Sequence, residues 1–283
     1  MRLVNFRREN RIEFGVERDG FVRSLASAGY SSDAEFFAGG AKALEAARTL
    51  ATQAGAEQVR LEDVRLMAPV LRPGKILCVG LNYRDHAIES NMAIPEVPTI
   101  FLKLPNAVTG PDSEIILPRN STQPDYEAEL AVVIGKAGYQ IPAANAMEYV
   151  FGYTIMNDVS ARDVQRATTQ WSLGKSFPTF APMGPWIVSK DEVPDPHALD
   201  ISLTIGGEKL QNSNTHLLIF KIPALIEYIS GIVPLQAGDV ISTGTPAGVG
   251  MGRNPQRWLK PGEEMVIAIQ GIGELRNKLV AEK

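Results

Sequence analysis

Glu127 and Glu129 stand one residue apart at the entrance of an apolar run, Leu130-Ala131-Val132-Val133-Ile134. In a strand, residues i and i+2 point to one face, so the two carboxylates would sit together, with Ala128 and Leu130 opposite. Two carboxylates beside a core repel each other and lose hydration. A divalent cation removes both costs; a solvated edge strand is the alternative. A third carboxylate, Asp158, ends the apolar stretch YTIMND and precedes a helix start. A lone aspartate there is usually an N-cap, yet Ser160 or Asp163 would serve as well. Three carboxylates from two separated segments make a hard oxygen site. It suits Mg²⁺ or Mn²⁺, with about three coordination positions left for water or substrate. The histidines, His86, His197 and His216, show no zinc-ligand spacing with one another or with cysteine.

The elements that must carry these residues are short. Residues 1 to about 70 read as a small leading module. MRLVNF, RIEFGVER and GFVRSL are strand-like, with turns at REN and RDG. A capped helical stretch follows from Ser31, interrupted at Gly39-Gly40. APVLRPGK marks the junction to a second region, 71–283. There, apolar β-rich runs bounded by Gly, Pro, Asn or Asp recur, among them KILCVG, TIFLKL, ELAVVIG and GDVISTG. Helical patterns are fewer: YRDHAIESN, AANAMEYVFG, SARDVQRATTQ and KIPALIEYISG. The expectation is an α+β, β-dominated fold. The strands and helices do not alternate, which disfavours a TIM barrel or a doubly wound sheet.

Of 283 residues, 45% are hydrophobic, enough for a sizeable core. The net charge of −4 and the absence of a Lys/Arg run argue against nucleic acid as a partner. No apolar run is long enough for a membrane span, and the first ten residues carry no signal core. The single cysteine, Cys78, excludes an internal disulfide and fits a reducing, cytoplasmic setting. In KILCVG it reads as a small core residue.

Five stretches in order, CVGLNYRDHAIE, DYEAELAVVIGK, GYTIMNDVSARDVQ, WSLGKSFPTFAPMGP and STGTPAGVG, resemble the fumarylacetoacetate hydrolase family over roughly residues 70–283. Each stretch alone is weak; the ordered set is specific. The resemblance implies a mixed β-sandwich or β-roll catalytic domain behind a small N-terminal α/β module. It implies a homodimer, one divalent metal per subunit (Mg²⁺, with Mn²⁺ or Ca²⁺ as alternatives) and a small 2-oxo or β-dicarbonyl acid as substrate. It makes Glu127, Glu129 and Asp158 the metal ligands. His86 and Glu89 match a His-x-x-Glu pair on a short lid helix, where the glutamate orients the imidazole that deprotonates water. Lys175 matches a lysine near the metal that stabilises developing negative charge; a snorkelling surface lysine is the alternative. Arg162 and Gln165 match residues that contact substrate oxygens, although Arg162 would serve equally as a structural ion pair. Thr245 matches a threonine that holds a substrate carboxylate, and Lys103 a lysine after an apolar strand that also serves substrate binding.

The activity so implied is hydrolysis of a carbon–carbon bond in a 2,4-dioxo acid, of the acylpyruvate or fumarylpyruvate kind, through a metal-bound enolate. Decarboxylation of an oxaloacetate-like acid, or isomerisation, would use the same enolate. A non-catalytic binding protein on the same fold ranks lowest, since every expected ligand is present. Two departures from the family pattern stand out: Pro178 occupies a place that is acidic in many members, and His216-Leu217 replaces a Ser-Asp pair. Both are expected to bear on substrate preference and not on the metal.

Overall fold

The computed structural model describes residues 1–283. Strands dominate, as expected. β1 (Arg2–Arg8), β2 (Arg11–Arg18) and β3 (Phe21–Ser24) form a meander. Its turns sit at the two expected places, where Glu9, Asp19 and Gly20 take positive φ. Helix α1 (Asp33–Thr52) follows, capped by the Ser32 side chain. It kinks at Gly40, whose φ of 55° glycine adopts without a Cβ penalty. Next come β4 (Ile76–Gly80), helix α2 (Arg84–Glu89), β5 (Thr99–Lys103) and β6 (Glu114–Leu117). The centre consists of β7 (Ala128–Ile134), β8 (Val150–Asn157), helix α3 (Arg162–Gln165) and β9 (Ala181–Ser189). The chain ends with β10 (Asp200–Ile205), β11 (Glu208–Asn214), helix α4 (Ile222–Ser230), β12 (Val240–Ser242), β13 (Glu264–Ile269) and β14 (Gly273–Ala281).

The main sheet runs β3-β2-β1-β9-β8-β7-β12-β4-β5, and a second, five-stranded sheet runs β11-β10-β13-β14-β6. The two pack face to face across β7, β8 and β9. Every residue of β7 is buried, because it lies at the middle of one sheet and under the other. Pairing is antiparallel except β12 with β4, β14 with β6 and the start of β9 with the short Val108–Thr109 strand. No helix is long and apolar enough to cross a membrane.

The leading residues join the main sheet. Arg2 and Leu3 of β1 pair with Val188 and Ile187 of β9. Phe36 and Phe37 of α1 stack edge-on against Phe151 at 5.7 and 5.5 Å. Leu3, Phe14 and Phe36 belong to the same apolar core as Val132, Ile155 and Ile267.

Several expected elements shift. AANAMEYVFG is not one helix: a 3₁₀ stretch ends at Glu148, and Val150 already starts β8. In SARDVQRATTQ only Arg162–Gln165 is helical, because Ser160 and Ala161 pair with Asp125 and Pro124. Two strands escape the apolar pattern. β11 buries only Leu210 and Gln211 at a sheet edge, and β14 alternates around a buried amide, Asn277.

Candidate metal centre and active site

The antiparallel register of β7 and β8 sets Ala128 opposite Asn157, so Glu127 and Asp158 emerge side by side at the strand ends. The Asp158 amide donates to the Glu127 carbonyl at 2.9 Å. Glu127, Glu129 and Asp158 are all buried, and each brings a carboxylate oxygen within 4.8 Å of the others. Asp158 caps no helix; α3 begins after Ala161 without a side-chain cap.

Each acid is held differently. Both oxygens of Asp158 take a lysine: Lys103 Nζ donates to Oδ1 at 2.6 Å and Lys175 Nζ to Oδ2 at 2.9 Å. Glu127 pairs Oε1 with Arg162 at 2.6 Å and Oε2 with Lys175 at 2.7 Å. Glu129 has no cation of its own. Its Oε2 accepts from the Ser242 hydroxyl at 2.5 Å and the Gly244 amide at 2.9 Å.

The electrostatics follow. Burial pushes the Glu129 carboxyl well above its ordinary value, and the charges of Asp158 and Glu127 push it further. Burial acts the same way on Glu127, but Arg162 and Lys175 outweigh it and hold that carboxyl down at about 2. Burial lowers Lys103 despite Asp158. For Lys175 the burial penalty is exceeded by Asp158 and Glu127, and the ammonium is favoured. The donor set fits a hard divalent cation: three buried carboxylates converge, and one of them strains to keep its charge.

Asp158 lies fully buried between Lys103 and Lys175, while Glu127 and Glu129 beside it border a cavity of about 520 Å³. His86 and Glu89 of α2 form part of its wall. His86 Nδ1 faces Glu89 Oε2 at 3.3 Å, while Glu89 Oε1 accepts from the Gly248 amide at 2.9 Å. A carboxylate opposite Nδ1 favours the tautomer with its proton there, leaving Nε2 with a free lone pair. Helix α2 is tied down by Asp85, which accepts from its neighbour His86 N and from Ser213 Oγ at 2.8 Å.

Gln165, Thr245, Arg162 and Lys175 also line this cavity. The Arg162 guanidinium bridges Asp125, Glu127 and the Gln165 amide oxygen, so it is a buried ion pair on the cavity wall. Thr245 Oγ1 accepts from Gln211 Nε2 at 2.8 Å and keeps its own proton to donate. Lys103 does not line the cavity; it is enclosed behind Asp158, with Val159 O as its second acceptor. Pro178 is exposed and does not line the cavity either. His216 and Leu217 border a different groove, about 850 Å³, over the second sheet. Neither departure therefore touches the acids.

Sequence reasoning missed four residues. Asp125 is fully buried and accepts from Arg162 Nε and from the amides of Gly250 and Met251, fixing the glycine-rich stretch to α3. Ser242 holds Glu129. Gln211 links the Ala128 amide to Thr245 and Pro246. Arg166, just after α3, lines the cavity from its exposed side. Asp125 carried a signal, a third acid two residues before Glu127; Ser242 and Gln211 lie in segments whose pairing no local pattern gives.

Residues 75–280 match the family model described as the C-terminal domain of fumarylacetoacetate (FAA) hydrolase. The mitochondrial oxaloacetate tautomerase Fahd2a of Rattus norvegicus is 48% identical over 240 residues, which are 83% of this chain and 77% of that protein. Among solved structures, fumarylacetoacetate hydrolase from the psychrophile Exiguobacterium antarcticum superimposes with a TM-score of 0.88 at 36% identity, over 100% of both chains. The 5-carboxymethyl-2-hydroxymuconate delta-isomerase of Mycobacterium smegmatis does so with a TM-score of 0.81 at 36% identity, again over 100% of both. With the family model spanning most of the sequence and the fold matched end to end, the chain belongs to the fumarylacetoacetate hydrolase family.

Proposed function

We propose that this protein is a metal-dependent enzyme that interconverts the enol and keto forms of a small 2-oxo acid of the oxaloacetate kind. The observation that carries the reading is a buried three-carboxylate cluster, two of whose members, Glu127 and Glu129, line the same cavity as a single oriented imidazole. The 48% identical tautomerase supports it. Glu127, Glu129 and Asp158 would hold the cation, Mg²⁺ by preference, with Mn²⁺ or Ca²⁺ as substitutes. When bound, that ion supplies Lewis acidity toward the 2-oxo and carboxylate oxygens.

The chain's own groups then do the proton work. His86 Nε2, held by Glu89 through Nδ1, takes the proton from the C2 hydroxyl of the enol and delivers it to C3. In the reverse direction it removes the C3 proton and returns it to the C2 oxygen. Lys175 spends two of its three N–H groups on Glu127 and Asp158, leaving one for a developing oxyanion. Gln165 Nε2 and the Thr245 hydroxyl face the cavity as donors for carboxylate oxygens. Lys103 is a positioning residue that fixes Asp158. A homodimer completes the reading.

A second reading, hydrolysis of a carbon–carbon bond in an acylpyruvate-like acid, uses the same groups with His86 activating water. The resemblance to fumarylacetoacetate hydrolase favours it. A single panel separates the two. With Mg²⁺ present, the loss of enol absorbance from enol-oxaloacetate is followed in parallel with pyruvate release from acylpyruvates. Fast ketonisation without pyruvate release supports the first reading. Pyruvate release with an uncatalysed enol rate replaces it with the second.

A further inference from the structure

Three side-chain cations line the active-site cavity: Arg162, Lys175 and Arg166. The first two are each paired with two carboxylates, Arg162 with Asp125 and Glu127 and Lys175 with Glu127 and Asp158. Arg166 has no carboxylate within ion-pair distance. Its one side-chain contact is a weak one, from Nη1 to the Met251 sulfur at 3.8 Å. An arginine that faces a cavity with its planar donor fork unused is suited to a bidentate carboxylate from a ligand.

Its position sets the distance. Arg166 follows α3, and its amide still donates to the Arg162 carbonyl at 3.0 Å. The two arginines are therefore four apart on one face, separated by about 6 Å of helical rise. Arg162 grips Glu127, a member of the acid cluster. A ligand seated at that cluster by its 2-oxo acid end has Arg166 one turn further along α3, on the lining of the same cavity. In a four-carbon diacid the second carboxylate lies two carbon–carbon bonds beyond the oxo carbon, roughly 2.5 Å. A charge-assisted contact adds about 2.8 Å to that reach. Met92 and Met251 also line the cavity and offer no charged partner to a longer arm.

We propose that Arg166 is the specificity residue that reads a second carboxylate, making the preferred substrate class the short 2-oxo diacids over 2-oxo monoacids of the same length. The inference rests on the tautomerase reading for its chemistry, but not for its test.

The test is calorimetric titration of the Mg²⁺-loaded protein with 3,3-difluorooxaloacetate, which keeps both carboxylates but has no C3 proton, and with oxalate, which has no arm beyond the chelating end. Arg166 is exposed, so Arg166→Gln should fold normally. The expected result is a 10- to 100-fold weaker Kd for the difluoro diacid in Arg166→Gln, partial recovery in Arg166→Lys, and oxalate binding unchanged within twofold. Equal loss for both ligands, undiminished diacid binding in Arg166→Gln, or no diacid binding by the wild type would each overturn the assignment. Enol-oxaloacetate turnover, measured separately, keeps the two ideas apart. An Arg166-dependent diacid affinity without turnover ends the tautomerase reading alone. Turnover with the same KM in Arg166→Gln ends the Arg166 assignment alone.

Discussion

Asp125 Oδ2 accepts from Arg162 Nε at 2.8 Å where neither side chain reaches solvent. The remaining oxygen of Asp125 accepts from the Tyr126 and Gly250 amides. This one carboxylate therefore balances the guanidinium that holds Glu127 and anchors the glycine-rich stretch bordering the cavity.

Asp125→Ala would leave Arg162 with one charged partner in place of two and orphan the Gly250 amide. Removing one member of a buried ion pair costs about 3–5 kcal/mol, which for a chain of this size lowers Tm by roughly 10 °C. Calorimetric melting of Asp125→Ala beside the wild type measures it. A Tm within a degree of wild type would show that the pair is not structural.

The stability of the metal-free protein should fall as pH rises through the weakly acidic range. Folded Glu129 keeps its proton well above 4.5, the value expected in the unfolded chain. Its contribution is fully present below that value and is lost as pH climbs toward the raised one. Glu127 has the opposite sign: its contribution is present above 4.5 and is lost as pH falls toward about 2. The check is the Tm of wild type minus that of Glu129→Gln, in EDTA, from pH 5 to pH 8. The difference should become more negative with pH. A flat difference would refute the assigned direction.

Adding Mg²⁺ should raise Tm at neutral pH, because the ion binds only the folded chain. At a hundredfold excess over Kd the gain is about 2.7 kcal/mol. EDTA should remove it. The double variant Glu127→Ala, Glu129→Ala should show no Mg²⁺-dependent shift, and a retained shift would place the ion elsewhere. Because Mg²⁺ displaces a proton from Glu129, its affinity should also improve with rising pH.

His86→Ala should reduce turnover by about 10²- to 10⁴-fold, the usual worth of a general base, and leave the Mg²⁺-induced Tm shift intact. Glu89→Gln keeps an acceptor for the Gly248 amide but removes the charge facing Nδ1. Its loss should be smaller. If both variants lost Mg²⁺ binding together with activity, α2 would be part of the metal site and not of the proton path.

Much of this was legible before folding. The spacing of Glu127 and Glu129 implies a shared face, and Asp158 at the end of a second apolar run supplies the third acid. What the chain order concealed is which strand lies beside which. The resemblance makes Lys103, after an apolar strand, a substrate-binding residue, but its ammonium is enclosed behind Asp158. Ser242 is anonymous until the antiparallel pairing of β7 and β12 sets it opposite Ala131. The short helices were over-extended for a different reason: Ser160-Ala161 takes a bridge to Asp125 that outcompetes local helix preference. The leading 70 residues read as a module of their own, since nothing in Arg2–Arg8 announces a partner strand far downstream.

That partner imposes an order on biosynthesis. Arg2 and Leu3 come off the ribosome first, yet the residues they zip against are Val188 and Ile187. At a translation rate of roughly 5–20 residues per second, the first strand waits on the order of ten seconds or more before its neighbour exists. Throughout that interval Leu3, which faces the main core, and the unpaired backbone edge of the strand are available to other nascent chains. A ribosome stalled before residue 180 would thus present an open sheet margin, and that is where a co-translational chaperone would be needed.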